Sequence, residues 1–214
     1  MFSSFLGEFS WVEFIYMNDV GIERYTEVTG SSCAGKSTCF ENVQNYITGG
    51  EISGCFLPSA VIRGVFFVLG FFYLIIRPAK LFWIIRQCRD IHMSFLHKVS
   101  AVRNAIEKFG CYLLFRNRAV VVDEGISHIP FVFQFSADQI SEFLIVFGSE
   151  LQKISILLVP APPEKDLVAR LITRGHKKVT CSESAKSFAR LNIIVSEEYL
   201  RALKKQGKLD VRVI

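Results

Sequence analysis

The sequence lacks several features that would place it in a specialised class of protein. Its six cysteines include no C-x-x-C pair and no histidine stands at finger spacing, so neither a disulfide framework nor a structural zinc site is predicted. It contains no 20 to 50-residue repeat and no low-complexity linker. No basic region precedes a hydrophobic one at the amino terminus, as in a secretory signal. A cytoplasmic globular protein is expected, because scattered free thiols are typical of a reducing compartment.

Long hydrophobic runs are also missing. The longest uninterrupted one, GVFFVLGFFYLII at residues 64–76, has 13 residues, whereas a membrane span needs about 20. Extending it back to Cys55 would include Arg63, which costs about 2.5–3.5 kcal/mol at the centre of a span. We therefore expect a buried helix here, and contact of residues 55–86 with a membrane surface is the alternative.

Acidic residues are scarce in the middle of the chain. Residues 60–118 contain ten Lys/Arg and two Asp/Glu, a net charge of +8, although the whole chain carries +5. This segment is either a solvated helical face or an electropositive wall for phosphate, an anionic membrane or nucleic acid. A phosphate-binding motif elsewhere in the chain favours phosphate, and no nucleic-acid partner is expected.

Apolar strands alternate with helices along most of the chain. The strands are predicted at 24–28, 119–125, 154–160 and 209–214. The helices are predicted at Lys36 to Ile47, at 91–109 with Gly110 as its stop, at 164–174 before Gly175, and after a capping box from Thr180 to Glu183. This alternation predicts an α/β fold with a parallel sheet that is covered on both faces.

The stretch VTGSSCAGKST at residues 28–38 fits the phosphate-loop pattern G-x-x-x-x-G-K-[ST]. Glycines allow the backbone N–H groups to converge on phosphate oxygens, and the lysine adds a positive charge that we expect to project into solvent and toward phosphate rather than into the core. The serine hydroxyl after the lysine is suited to Mg²⁺. The predicted nucleotide-binding residues are Gly30, Ser31, Ser32, Cys33, Ala34, Gly35, Lys36, Ser37 and Thr38.

Two acids end the strand AVVVDEG. In a parallel sheet Asp123 would lie beside the phosphate loop, so Ser37 and Asp123 are predicted to hold Mg²⁺, partly through water. Glu124 is predicted to orient or deprotonate an acceptor hydroxyl, with a supporting carboxylate as the equal alternative. His128 is interpreted as a loop histidine, and Cys33 as a thiol open to oxidation.

A basic helix is predicted at residues 163–179. Arg170 and Arg174 are four residues apart and share one face, while Leu167 and Leu171 share another. Such a helix is either a lid that brings guanidinium groups to a transferring phosphoryl group or an ordinary amphipathic surface helix.

Together these motifs resemble the thymidylate kinase branch of the small P-loop kinases. The likeness covers residues 24–59 and 115–214 and rests on the phosphate loop, the strand that ends in Asp123, and PE-x-x-L-x-x-R-x-x-x-RG from Pro163 to Gly175. It continues into a helix with Phe188 and Tyr199, both expected in the core. The resemblance implies a three-layer P-loop fold with a five-stranded parallel sheet, ATP and Mg²⁺ as cofactors, and transfer to a nucleoside monophosphate. It places Arg170 and Arg174 where lid arginines stand.

The acceptor side departs from that family. Asp123-Glu124-Gly125 replaces D-R-x, no R-E-P-G-like segment is present, and residues 60–114 match nothing recognisable. We therefore predict a phosphotransferase domain at 23–214 with a helical acceptor-side insert at 60–114, after an N-terminal extension at 1–22. Its acceptor would be a nucleotide or similar small phosphorylated metabolite. A kinase for a lipid-linked acceptor, a regulatory or toxin-type P-loop ATPase, and a homodimer are left open.

Overall fold

The structure, a computed structural model, describes residues 24–36, 46–48, 51–52, 59–90, 94–175, 179 and 181–214. Residues 1–22 and most of the predicted helix from Lys36 to Ile47 lie outside this part of the chain. The sheet consists of β1 Thr26–Gly30, β2 Tyr46–Thr48, β3 Glu51–Ile52, β4 Val121–Asp123, β5 Ser155–Val159 and β6 Asp210–Val213.

The strand order in the sheet is β3-β2-β4-β1-β5-β6. Four of the pairings are parallel, and β3 pairs with β2 in the antiparallel direction. The predicted α/β class and parallel sheet are therefore confirmed, but the count of five strands was wrong, because the chain folds back after β2 and adds a short edge strand. The helix predicted to reach Ile47 was also wrong at its end, since Ile47 pairs with Val122 of β4.

The helices follow the apolar periodicity of the chain. They are α1 Ser59–Ile75, α2 Pro78–Asp90, α3 Phe95–Phe115, α4 Ile129–Phe133, α5 Ala137–Val146, α6 Gly148–Leu151, α7 Glu164–Thr173 and α8 Ser182–Gln206, with a 3-10 turn at Ile126–His128. The middle of the chain is helical as expected. Within the described part of the chain no single helix is long and apolar enough to cross a membrane, and α1 with Pro78–Arg89 meets the length and composition criteria only as a pair bent by 111°.

Two predicted helix ends were wrong. Helix α3 passes through Gly110 to Phe115, because Gly110 serves a helix crossing rather than a stop. Helix α8 is capped by Cys181 instead of Thr180, which lies outside the described residues. The Cys181 sulfur accepts from the Ser184 N–H at 3.4 Å, and the Ser184 hydroxyl accepts from the Cys181 N–H at 3.0 Å. The reciprocal pattern of a capping box is therefore kept, one residue later.

The main core lies on one face of the sheet. Alternate strand residues such as Ile156 and Leu158 pack there against buried aromatic side chains of the helices, including Phe109, Phe143 and Tyr199. Tyr199 is thus a core residue as predicted, and Phe188 is half-buried beside α7. The second face carries a smaller buried cluster, Val28, Val121, Leu157 and Val159. The three-layer arrangement itself stays a prediction.

Helices α1 and α3 cross at two glycines. A Cβ atom on Gly70 would overlap the carbonyl of Ile106, and one on Gly110 would overlap the carbonyl of Phe66. Both obstacles are backbone atoms, which cannot rotate away. The absence of side chains at these two positions therefore sets how closely the helices approach.

We expect Gly70→Ala to lower the free energy of unfolding by about 1–3 kcal/mol, because the added methyl group pushes the two helix backbones apart. Chemical denaturation at equilibrium measures the change. Gly64→Ala in the same helix is the matched control, since its Cβ would meet no atom within 4 Å, and it should gain roughly 0.5–1 kcal/mol from helix propensity. Equal stability of Gly70→Ala and the parent chain would contradict the crossing.

Candidate functional site

The phosphate-loop segment begins at the carboxyl end of β1. Strand β1 lies next to β4, and Val28 pairs with Asp123 in register, so the loop and Asp123 emerge side by side from the same edge of the sheet. Gly30 has a φ of 149° and its Cβ would overlap the carbonyl of Val159. Gly35 has a φ of 107°. The motif therefore has glycine where the backbone requires it.

Lys36 is held inside the loop. Its side chain is buried, with the residue 6% exposed, and its ammonium group donates to the carbonyls of Gly30 at 3.2 Å and Ser31 at 2.9 Å. The Oε1 atom of Glu124 lies 3.2 Å away. The expectation that Lys36 projects into solvent was wrong, because the loop closes around the ammonium group and offers it carbonyl oxygens and a carboxylate.

Asp123 presents a carboxylate that is only partly satisfied. Its Oδ1 atom is buried and has no hydrogen-bond partner among the described residues. Burial, with the negative charge of Glu124 second, raises its pKa to about 6. A buried oxygen of this kind fits a cation or a bound water. The described residues contain no cluster of three or more His, Cys, Asp or Glu side chains that could hold a metal, and Ser37, the other predicted metal residue, lies outside them.

Glu124 joins the strand end to the loop through both its backbone and its side chain. It adopts a left-handed φ of 61°, and its N–H donates to the Val28 carbonyl at 2.9 Å. Burial favours its neutral form, but His128, which is protonated only at low pH, together with Lys36 and Lys108 outweighs that effect and holds the pKa of the Glu124 carboxyl well below its usual range. Glu124 is therefore ionised and acts in this structure as the carboxylate partner of Lys36.

His128, which was interpreted from the sequence as a loop histidine, lies in the 3-10 turn after β4 and beside Glu124. Its ring is buried and stacks on Phe131, with 5.2 Å between ring centroids. The Nε2 atom is 3.5 Å from Oε1 of Glu124, and Nδ1 is 3.4 Å from the Thr29 hydroxyl. Burial lowers the His128 pKa to about 3, against the opposing charge of Glu124. The imidazole is therefore neutral at pH 7.

Two charged residues beneath the loop were missed as site residues. Glu27, the second residue of β1, is fully buried and accepts from the N–H groups of Ile126 at 2.9 Å and Ser127 at 2.6 Å. Lys108 of α3 is buried and donates to the Glu124 carbonyl. Burial raises the pKa of Glu27 and lowers that of Lys108. The signal in the sequence that could have identified Glu27 was a single acidic residue within the strand Thr26–Gly30, which is otherwise uncharged.

Helix α7 brings its basic face to the loop. Leu167 and Leu171 are fully buried, which confirms the predicted division of faces. Arg170 Nη1 donates to the carbonyls of Ala34 at 3.1 Å and Cys33 at 3.4 Å, and Arg174 Nη1 lies 4.0 Å from the Cys33 sulfur. Cys33 is buried against the two leucines. It is therefore shielded, unlike the oxidation-prone thiol expected from its position in the sequence.

The basic middle of the chain is not an unbroken electropositive wall. Several of its cations have carboxylate partners: Arg63 and Arg103 with Glu107, Lys80 with Glu150, and Arg86 with Glu142. Two of these acids, Glu142 and Glu150, come from beyond residue 118, so the composition of the segment alone overstated its positive charge. Lys108, another cation of residues 60–118, donates to the Glu124 carbonyl in the site.

Comparison of the chain with protein-family models, curated proteins and solved structures found no match. The resemblance to thymidylate kinases therefore stays a prediction that rests on the quoted motifs. The geometry brings together the loop from Gly30 to Lys36, Asp123, Glu124, Arg170 and Arg174, and it adds His128, Lys108 and Glu27. Ser37 and Thr38 lie outside the described residues.

The raised pKa of Asp123 predicts an unusual dependence of stability on pH. The folded state binds the carboxyl proton of Asp123 more tightly than the unfolded chain does. Ionisation of Asp123 therefore lowers the free energy of unfolding, and this loss is complete above pH 6 and disappears as the pH falls toward 4. Asp123→Asn removes that loss. Its unfolding free energy relative to the parent should therefore be higher at pH 8 than at pH 4, by on the order of 2–3 kcal/mol. Denaturant titration without divalent cations measures this.

Asp210→Asn is the control of opposite sign. Burial works against ionisation of Asp210, but hydrogen bonds from Ser155 and Arg24 lower its pKa. Its ionised form therefore stabilises the protein at neutral pH, and that stabilisation is lost as the pH falls through the lowered pKa. A pH-independent difference between Asp123→Asn and the parent would show that Asp123 has an ordinary pKa.

Proposed function

We propose that this protein is an ATP-dependent phosphotransferase that moves the γ-phosphoryl group to a nucleotide or a similar small phosphorylated metabolite. The observation that carries the proposal is the pairing of Val28 with Asp123, which sets a glycine-dependent loop with Lys36 beside a buried carboxylate oxygen. A loop, a lysine and an acid in this arrangement are what triphosphate binding with Mg²⁺ requires.

The loop provides donors for the phosphates. Gly30 and Gly35 adopt positive φ values that turn the backbone around the space occupied by the Lys36 ammonium. In this proposal the ammonium exchanges its two carbonyl partners for phosphate oxygens, which are better acceptors because they are charged. The hydroxyl of Ser31 is buried and has no partner among the described residues, so it is a further polar group that a bound ligand or water would satisfy.

Asp123 would hold Mg²⁺, with Ser37 as the second predicted ligand. The unpartnered, buried Oδ1 atom fits a cation reached directly or through water. When bound, Mg²⁺ would neutralise charge on the phosphates. The site raises the pKa of Asp123, but a pKa of about 6 still leaves most of the carboxylate charged at pH 7.

Arg170 and Arg174 are proposed to stabilise the transferring phosphoryl group. Helix α7 packs on the loop through Cys33, and Arg170 reaches the loop carbonyls. A guanidinium group within reach of the loop needs only a side-chain rotation to meet a phosphate there. The alternative is that these arginines hold the loop to α7, as their present contacts do.

The acceptor is the least constrained part of the proposal. Glu124 occupies the position at which the thymidylate kinases that the sequence resembles have an arginine for the acceptor phosphate. Its carboxylate forms an ion pair with Lys36. A lipid-linked acceptor is the second candidate, favoured by the exposed apolar face of α1. A regulatory or toxin-type ATPase is the third. Incubation of labelled ATP with a panel of nucleotides, sugar phosphates and lipids separates the three.

Lys36→Ala should lower phosphoryl transfer by at least about 100-fold, since it removes the charge that stabilises the phosphates during transfer. The measurement is turnover of labelled ATP with the acceptor that the panel identifies, on protein whose fold is checked by circular dichroism. Lys165→Ala, an exposed lysine of α7, is the matched control and should be neutral. Normal turnover in a folded Lys36→Ala protein would refute the phosphate-loop interpretation.

Arg170→Ala and Arg174→Ala should each reduce the turnover number far more than they weaken ATP binding, because their charge acts mainly where negative charge spreads in the transition state. Lysine at either position should restore little, since a point charge does not reproduce the guanidinium fork. Turnover and ATP affinity are measured separately. If the arginines only tether the loop, ATP affinity and stability fall together and lysine restores part of both.

A further inference from the structure

The outer face of helix α1 is apolar along its whole length. Its exposed residues follow each other at steps of four and three, so they share one face: Val61, Val65, Val68, Phe72 and Ile75. The opposite face packs into the core through residues such as Phe66 and Tyr73. Arg63, the one charged residue in α1, is paired with Glu107. Helices that are apolar on all sides are usually buried on all sides, so the exposed face of α1 is expected to contact a partner.

This face continues into an apolar groove between α1, α2 and α3. The groove has a volume of about 540 Å³ and includes Phe67, Ile85 and Phe95 in its lining. Phe71 on the outer side of α1 stacks on Phe67, with 6.1 Å between ring centroids, so the two regions are connected. At the start of α3, Phe95 and Leu96 are 77% and 78% exposed. We call the α1 face and this groove together the α1–α3 surface.

The charge at the groove indicates what kind of partner it suits. Its lining contains the basic side chains of Arg89, Lys98 and Arg103 and, among the described residues, no acidic one. Lys98 donates to the neutral carbonyl of Arg89 at 3.3 Å and so keeps its charge beside the groove, whereas the charge of Arg103 is compensated by Glu107. A partner that is apolar and anionic complements this combination.

The geometry of the helices excludes a simple span. At 1.5 Å per residue, the 17 residues of α1 reach about 26 Å, short of the roughly 30 Å hydrocarbon core. Helix α2 then departs at 111° from α1. A helix of this length can lie along the membrane interface with its exposed apolar side toward the acyl chains while its other side stays packed in the protein core.

A second copy of the chain fits this surface less well. A two-fold symmetric dimer places the same patch of each subunit against the other. The basic patch that contains Arg89, Lys98 and Arg103 would then face the same basic patch of the other subunit, and like charges brought together in an interface destabilise it. An anionic lipid surface is both apolar and negatively charged, because its acyl chains accept the apolar residues and its phosphate groups pair with the cations.

We propose that the α1–α3 surface binds the surface of an anionic lipid bilayer. The apolar side chains of α1 and the tip of α3 enter the boundary between headgroups and acyl chains, and the cations beside the groove contact lipid phosphates. This surface shares no residue with the phosphate-loop site, so the inference stands or fails independently of the proposed activity.

Vesicle flotation of the full chain tests it. The protein should float with phosphatidylcholine vesicles that contain about one third phosphatidylserine, bind pure phosphatidylcholine poorly, and be released as salt rises. Phe72→Glu, at a residue 60% exposed, should weaken partitioning at least about tenfold by placing a charge among acyl chains. Lys98→Gln should weaken it about fivefold. Ile76→Glu, beyond the end of α1, repeats the first test at a second site.

Two substitutions on α8 are matched controls. Ile194→Glu and Lys205→Gln change an exposed apolar residue and an exposed lysine away from the α1–α3 surface, and flotation should not change. Absence of flotation by the parent chain, equal binding to neutral vesicles, or full binding by folded Phe72→Glu and Ile76→Glu variants would each overturn the proposal. A parent dimer that Phe72→Glu dissociates, measured by sedimentation without lipid, together with no flotation, would assign the surface to a second copy.

Discussion

A single buried carboxylate connects the central strand to the turn that carries the site. Glu27 is the second residue of β1 and accepts hydrogen bonds from the N–H groups of Ile126 and Ser127, just after β4. Gly125 has no room for a side chain because a Cβ there would overlap the Glu27 carboxyl group. The turn is thereby fixed to β1, and Asp123 and Glu124 are fixed beside the loop.

The electrostatics of the site follow from that arrangement. Lys36, Lys108 and Glu124 form a group in which each charge has a partner, while Asp123 retains one buried oxygen without a partner among the described residues. Burial and the negative charge of Glu124 outweigh the nearby cations and raise the pKa of Asp123 to about 6, whereas for Glu124 the neighbouring cations outweigh burial and keep the carboxyl ionised. Two adjacent carboxylates thus differ in character because only one of them is paired.

The rest of the molecule is organised around a different constraint, the close crossing of α1 and α3 at Gly70 and Gly110. This crossing places one side of α1 in the core and leaves its apolar outer side exposed. The same α3 carries Lys108 to the site at one position and Phe95 and Leu96 to the α1–α3 surface at its start. One helix therefore connects the proposed catalytic site with the proposed membrane contact.

The sequence alone determined the features that depend on neighbours in the chain. The α/β class, β4 and β5, α7 with its buried leucines, and the glycine positions of the loop could all be predicted, because periodicity and backbone conformation are local properties. Tertiary structure decided the rest. The role of Gly110, the inward turn of Lys36, the place of His128 and the importance of Glu27 depend on residues far away in the chain. The pairing of cations in residues 60–118 with Glu142 and Glu150 does so too. The energetic effect of a buried charge depends on its partners, and only the fold brings those partners together.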